Sequence, residues 1–156
     1  MKFTHFAGLA LLALSFTTTI PASAQSGRNG QIHIVKDCGP TISPGTPGSF
    51  YCKIIQSNLP ELPANSLIYY DQITAGPTAG AGFLDSNIFV YVQPGQWAVG
   101  RCTIGFDGLP GLCTLTDGIG ALTGIGARVV VTYQPGGDGA LYTWDGTYSF
   151  AALPVR

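Results

Sequence analysis

Past its first two dozen residues, this chain has almost none of the side chains that usually carry reactive chemistry. His33 is then its only histidine and Glu61 its only glutamate. Charged residues of all kinds make up 10% of the sequence. Arg28, Lys36, Lys53, Arg101, Arg128 and Arg156 face eight acids, so no cluster of positive charge is available for nucleic acid or an anionic membrane surface. No Cys-x-x-Cys pair and no Gly-x-Ser-x-Gly elbow occurs, which leaves no sequence support for a zinc ribbon or an α/β-hydrolase nucleophile. Long runs of helix-forming residues are also missing, whereas Gly (22) and Pro (11) are abundant. Frequent turns and short strands are expected in place of helices.

The longest apolar run lies at the start of the chain. Lys2 provides a positive n-region, residues 6–16 are apolar but too few to span a bilayer, and Ala22-Ser23-Ala24 is an A-x-A cleavage site. Residues 1–24 are therefore predicted to be a secretory signal. The mature protein is expected in the periplasm or outside the cell, without a membrane span. Taking 24 residues from 156 leaves 132, enough for one domain with a real core. Residues 25–31 read as a flexible leader and 32–156 as the folded domain.

An exported chain with an even number of cysteines reads as a disulfide framework. Cys38, Cys52, Cys102 and Cys113 allow three pairings. Local closure favours Cys38 with Cys52 and Cys102 with Cys113, because each pair brackets a turn-rich segment that returns the chain to its neighbour. Each such bridge is worth about 3 kcal/mol when the closed loop has on the order of 15 residues.

Between the turn clusters the sequence alternates with period two. Strands are predicted over residues 32–36, 49–57, 67–73, 87–92, 97–104, 112–116 and 127–133. Within 49–57, Phe50, Cys52 and Ile54 share one face and Tyr51, Lys53 and Ile55 the other. Leu59-Pro60-Glu61-Leu62-Pro63 cannot be a central strand and reads as a loop crossing between sheets. Asp145-Gly146 is a type I′ turn signal, predicting a C-terminal hairpin from residues 141–144 and 147–150. That hairpin would set Leu141 and Phe150 toward the core and present Tyr142 and Trp144 as the centre of a ligand surface for a glycan, to which Tyr69, Tyr70, Tyr91, Trp97 and Tyr148 could add stacking rings.

Candidate reactive groups are few. His33 stands alone on the first predicted strand and reads as a surface residue, not a general base. Asp107, Asp117, Asp138 and Asp145 each precede a glycine, a pattern that fits calcium ligation less well than ordinary turns, since no D-x-D-x-D-G loop is present. Residues 118–127, Gly-Ile-Gly-Ala-Leu-Thr-Gly-Ile-Gly-Ala, have neither the spacing nor the following helix of a dinucleotide loop and read as a tight turn. Asp71 and Asp85, flanking the small-residue stretch 75–82, would be the carboxylates of a hydrolase if there were one.

Several segments taken together are similar to a family. Ile34-Val35-Lys36 leading to Thr41-Ile42-Ser43-Pro44-Gly45, the strand 50–56, residues 67–71, and Cys102 with Cys113-Thr114-Leu115 before Leu122-Thr123-Gly124 and the strand 127–133 make up the likeness. Over residues 32–133 the chain resembles the Ig-like repeat domain of bacterial surface and secreted proteins. The resemblance implies an immunoglobulin-type sandwich, no catalytic residues and no cofactor. The expectation is an all-β, Ig-like antiparallel sandwich with a C-terminal hairpin and two disulfides. Its expected role is a non-catalytic binding, adhesion or structural module of the envelope, with an unidentified protein or glycan partner. A carbohydrate-binding module using Tyr142 and Trp144 is the first alternative and a secreted hydrolase the second.

Overall fold

A computed structural model of the protein describes residues 27–38, 50–71, 83–105, 109–135 and 140–152. Period-two alternation yields eight strands: β1 (Arg28–Asp37), β2 (Phe50–Ser57), β3 (Leu67–Tyr70), β4 (Phe83–Gln93), β5 (Gln96–Gly105), β6 (Gly111–Ile119), β7 (Ile125–Gln134) and β8 (Leu141–Phe150). One 3-10 turn, Gly120–Leu122, separates β6 from β7. Each strand pairs antiparallel with the next, and β8 returns to pair with β1. The result is a closed eight-stranded up-and-down barrel.

Closure overturns the Ig-like sandwich. A sandwich and a small barrel share the same in-out alternation, so the pattern of apolar residues does not separate them. The deciding contact is the ladder between the two ends of the chain, from Arg28 opposite Phe150 to Asp37 opposite Leu141. That ladder also corrects the leader: Arg28, Asn29, Gly30 and Gln31 are the first half of β1. Residues 1–26, including the predicted signal, lie outside the described residues.

The C-terminal hairpin is overturned as well. β8 passes straight through Asp145-Gly146 as one strand, with Asp145 opposite His33 and Gly146 opposite both Ile32 and Val129. Glycine is needed there for close approach: a Cβ on Gly146 would stand 2.1 Å from the Arg128 carbonyl oxygen. Gly100 plays the same part in β5, where a Cβ would meet the Thr114 carbonyl oxygen at 1.8 Å beside the irregularity between Val99 and Gly100. Both glycines let neighbouring strands pinch together as the sheet curls shut.

Eight strands leave a lumen just wide enough for side chains to fill. Ile34, Ile54, Ile68, Val90, Ala98, Val129, Val131 and Trp144 fill it. Leu59, Leu62 and Leu122, from the β2–β3 and β6–β7 connections, add to this core at one end. The first of these connections is not a crossing between sheets. Hydrogen bonds from the Asn58 amide to the His33 carbonyl oxygen and from the His33 amide to Asn58 Oδ1 lay it along β1, and Arg28 Nη2 meets Glu61 Oε1 at 2.5 Å. At the opposite end β1, β3, β5 and β7 finish and β2, β4, β6 and β8 begin.

Both predicted disulfides are present, Cys38–Cys52 and Cys102–Cys113. The second joins residues directly opposite each other on β5 and β6, and the first ties the end of β1 to β2. Two buried disulfides are consistent with an oxidising compartment.

Candidate functional site

Alternation along β2, β3, β4 and β5 sends one set of side chains out of the barrel, and the register stacks that set across the strands. Tyr51 lies opposite Tyr69, Tyr69 opposite Phe89, and Tyr91 opposite Trp97. Their rings touch in succession: Tyr51 to Tyr69 at 5.4 Å between centroids, Tyr69 to Phe89 at 6.4 Å, Phe89 to Trp97 at 5.5 Å and Phe89 to Tyr91 at 6.5 Å. Phe89, at the centre, keeps 37% of its surface exposed. With strands about 4.8 Å apart, five rings on four strands form a strip roughly 14 Å across.

A polar network begins where the strip ends. Asp71 accepts hydrogen bonds from Ser86 Oγ at 2.8 Å and from Asn87 Nδ2 at 2.7 Å. Asn87 Oδ1 in turn accepts from Arg101 Nη1 at 3.2 Å, and Arg101 Nη2 meets Asp85 Oδ2 at 2.7 Å. Thr103 completes the chain by donating to Asp85 Oδ1. The hydrogen bonds from Asn87 and Ser86, helped by the more distant Arg101 charge, hold the Asp71 carboxyl below its ordinary value, so it stays an acceptor through the neutral range. A groove of about 540 Å³ runs along the seam, between Tyr69 and Phe89 on one side and Asp71 and Asn87 on the other. A second concavity of about 650 Å³ lies over β1, β8, β7 and β6. Amides and hydroxyls such as Asn29, Gln31, Thr114 and Ser149 line it, with Tyr148 its only ring.

The interior holds a different constellation. Lys36 follows Ile32 and Ile34 on the inward face of β1 and is buried with 1% of its surface exposed. Its Nζ donates to Tyr70 Oη and lies 4.9 Å from the Trp144 ring centroid, 5.0 Å from that of Tyr70 and 5.7 Å from that of Tyr142. Among the described residues no carboxylate reaches it. Burial lowers the Lys36 ammonium from its ordinary value to about 7, while the surrounding ring faces favour the charged form. Burial, with Tyr142 nearby, raises the Tyr70 hydroxyl far enough to keep it protonated. Trp144 is fully buried, and its indole Nε1 has no hydrogen-bond partner among the described residues.

The predicted site residues scatter across these features. Tyr142 is half-buried and Trp144 wholly inside, so the pair does not form an outer surface; both point to the lumen because β8 never turns at Asp145-Gly146. His33 is exposed and pairs with Asp145, Nδ1 to Oδ1, at 2.6 Å. Asp117 accepts from the Gly118 amide, a local backbone role. Asp107 and Asp138 lie outside the described residues, and among those described no three metal-ligating side chains converge. Of residues 118–127, only 120–124 form the tight turn, with positive φ at Gly120 and Gly124, while Gly118 and Ile119 end β6 and residues 125–127 begin β7. Asp71 and Asp85 belong to one network, joined through Asn87 and Arg101. Lys36 is new, its inward aim hinted only by its parity with Ile32 and Ile34; of the outer strip, Tyr69, Tyr91 and Trp97 are among the rings that the sequence offers for stacking, whereas Tyr51 and Phe89 join them only through the register.

No family model, curated protein or solved structure matches this chain.

Proposed function

We propose that the protein is an exported, non-catalytic binding module that holds a glycan chain on its outer face, over β2 to β5. The observation that carries this reading is the seam between rings and hydrogen-bonding groups. Sugars offer apolar C–H faces and a rim of hydroxyls at once, and a site for them needs both surfaces in contact. Tyr69, Phe89, Tyr91 and Trp97 offer the stacking surface. Asp71, Asn87 and Arg101 offer planar donors and acceptors already oriented by one another, so little ordering entropy is lost when a sugar replaces water. Spacing favours a polymer, because adjacent strands sit about as far apart as successive sugars in a chain.

The compartment supports the same reading. A protein outside the cytoplasm meets cell-wall and capsular polysaccharide, and the disulfides fit such a location. Outward charges including Asp85, Arg101 and Arg128, around an apolar lumen, are the reverse of a membrane-spanning barrel's polar interior and lipid-facing band.

Affinity electrophoresis against a panel of insoluble and soluble polysaccharides tests the proposal. The wild-type protein should be retarded by at least one of them. Trp97→Ala should abolish the shift, and Asp71→Asn should weaken it several-fold with only a small loss of melting temperature, since the hydrogen bonds from Ser86 and Asn87 favour the carboxylate. Binding that survives Trp97→Ala would place the glycan elsewhere, and retardation by none of the panel would favour a protein partner for this face.

A further inference from the structure

We propose, resting on the reading of the outer face as a glycan site, that the chain held there is acidic. It runs on past the aromatic strip into the concavity over β6, β7, β8 and β1, where Arg128 binds a sugar carboxylate. Two open depressions supply the room, about 540 Å³ beside the strip and about 650 Å³ in the second concavity. They meet at Thr116, which lines both. The irregularity in the β5–β6 ladder puts it there: Val99 lies opposite Asp117 and Gly100 opposite Leu115, so the register passes over Thr116 and leaves it between the two grooves.

Register carries the track onward. Asn87, Arg101, Thr114, Arg128, Thr147 and Gln31 lie opposite one another in turn, a polar row on the outside of the barrel from β4 round to β1. Arg128 is exposed and stands three strands from the one that carries Phe89, on the order of 14 Å across the sheet. Gly126, two positions before it on the same outward face, has no side chain to fill the depression.

Charge selects the ligand. Arg101 is held by Asp85 and Asn87, and the acids on the strands either side of Arg128 are engaged too, Asp145 with His33 and Asp117 with the Gly118 amide. The Arg128 guanidinium makes no ion pair or hydrogen bond among the described residues, and of the side chains that line its concavity it alone is charged. Thr114 and Thr147 lie opposite it on the two neighbouring strands and add hydroxyls. A guanidinium fork is matched to a planar carboxylate, which accepts two parallel N–H···O bonds from it. The amides of Asn29 and Gln31 line the same concavity, within the reach of a sugar's hydroxyl rim. A single free cation suits a chain with sparse carboxylates, whereas a densely sulfated one would need clustered Arg and Lys.

Affinity electrophoresis of the disulfide-intact protein with matched polymers tests the proposal. The probes are alginate, polygalacturonate and hyaluronan, each beside its carboxyl-reduced form, which keeps the backbone and removes the charge. At least one acidic polymer should bind about tenfold more tightly than its reduced form, the effect of a charge-assisted pair of hydrogen bonds. Arg128→Gln should remove that preference, leaving the binding of the reduced form and the melting temperature unchanged, whereas Trp97→Ala should weaken binding of both forms. Equal binding of the acidic and reduced forms, a preference that survives Arg128→Gln, or retardation by neutral polysaccharides alone would overturn the acidic assignment and leave the glycan reading standing. Retardation by no polysaccharide, acidic or neutral, would overturn both.

Discussion

Both tryptophans of this protein sit among tyrosines, and the wall of one barrel puts them in opposite environments. Trp97 lies on the outside, part of a strip of rings left partly open to solvent. Trp144 lies inside, sealed against a lysine that it shares with Tyr70 and Tyr142. The outer rings adjoin a connected set of hydrogen-bonding groups, whereas inside the barrel the Trp144 indole N–H lacks an acceptor among the described residues. Aromatic composition alone therefore says little about role. What decides is which face of the strand a ring leaves from and whether the polar groups beside it are already satisfied.

The sharpest way to break this comparison is to truncate each ring. Trp144→Ala should cost about 3–5 kcal/mol by opening a large cavity in the lumen. Trp97→Ala should cost no more than about 1 kcal/mol, as for other surface changes. Thermal or denaturant melting of the two variants reads the difference, and equal losses would mean that the outer strip is also a structural core.

Opening the Cys102–Cys113 bridge by Cys102→Ser with Cys113→Ser should cost about 3 kcal/mol, since the unfolded chain is then no longer held closed across an 11-residue separation. The outer face shares β5 with this bridge, so a melting curve taken with and without a bound glycan shows whether the bridge holds the face in shape.

The inner lysine should reveal itself through pH. Burial brings Lys36 down to about 7 in the folded protein, while the unfolded chain titrates near its ordinary value of 10.5. Between those values the unfolded state binds more protons, so stability should rise with pH across that window and stay flat, as far as this group is concerned, below about 7. The gain from pH 7 to 9.5 should be on the order of 2–3 kcal/mol after allowing for the ring faces that favour the cation. Lys36→Met should remove the slope and be at least as stable as wild type at pH 7, because a buried cation is replaced by an apolar side chain of similar length. A slope that persists in Lys36→Met would assign it to another group.

The smallest effect belongs to the exposed pair His33 with Asp145. His33→Ala should change the melting temperature by about a degree or less, as solvent-exposed ion pairs are worth little.

Much of the architecture was legible in local pattern. Alternation located seven of the strands to within a few residues and separated Cys52 and Ile54 from Ile55 by face, which the structure makes the inner and the outer one. Turn chemistry marked the glycine-rich segment before β7, and local closure found both disulfide pairings. Asp145-Gly146 misled because the same dipeptide serves two purposes. Glycine gives a type I′ turn its positive φ, but at Gly146 it is required because a neighbouring backbone leaves no room for a Cβ, and a one-dimensional reading has no access to that neighbour.

The sequence by itself determined that this is a β protein with two disulfides and an alternating core, because those properties follow from residue parity and short-range closure. Tertiary structure alone decided that the sheet closes, since closure depends on a ladder between β1 and β8, more than a hundred residues apart in the chain. It also decided which aromatics meet. Tyr51, Tyr69, Phe89 and Trp97 become one surface only when four strands adopt a particular register, and Lys36 acquires its shifted amine only when Tyr70 and Trp144 close around it. Both groupings are products of long-range pairing. The parity of a strand can say which way a side chain points, but the group it will face is set by the strand that lies beside it.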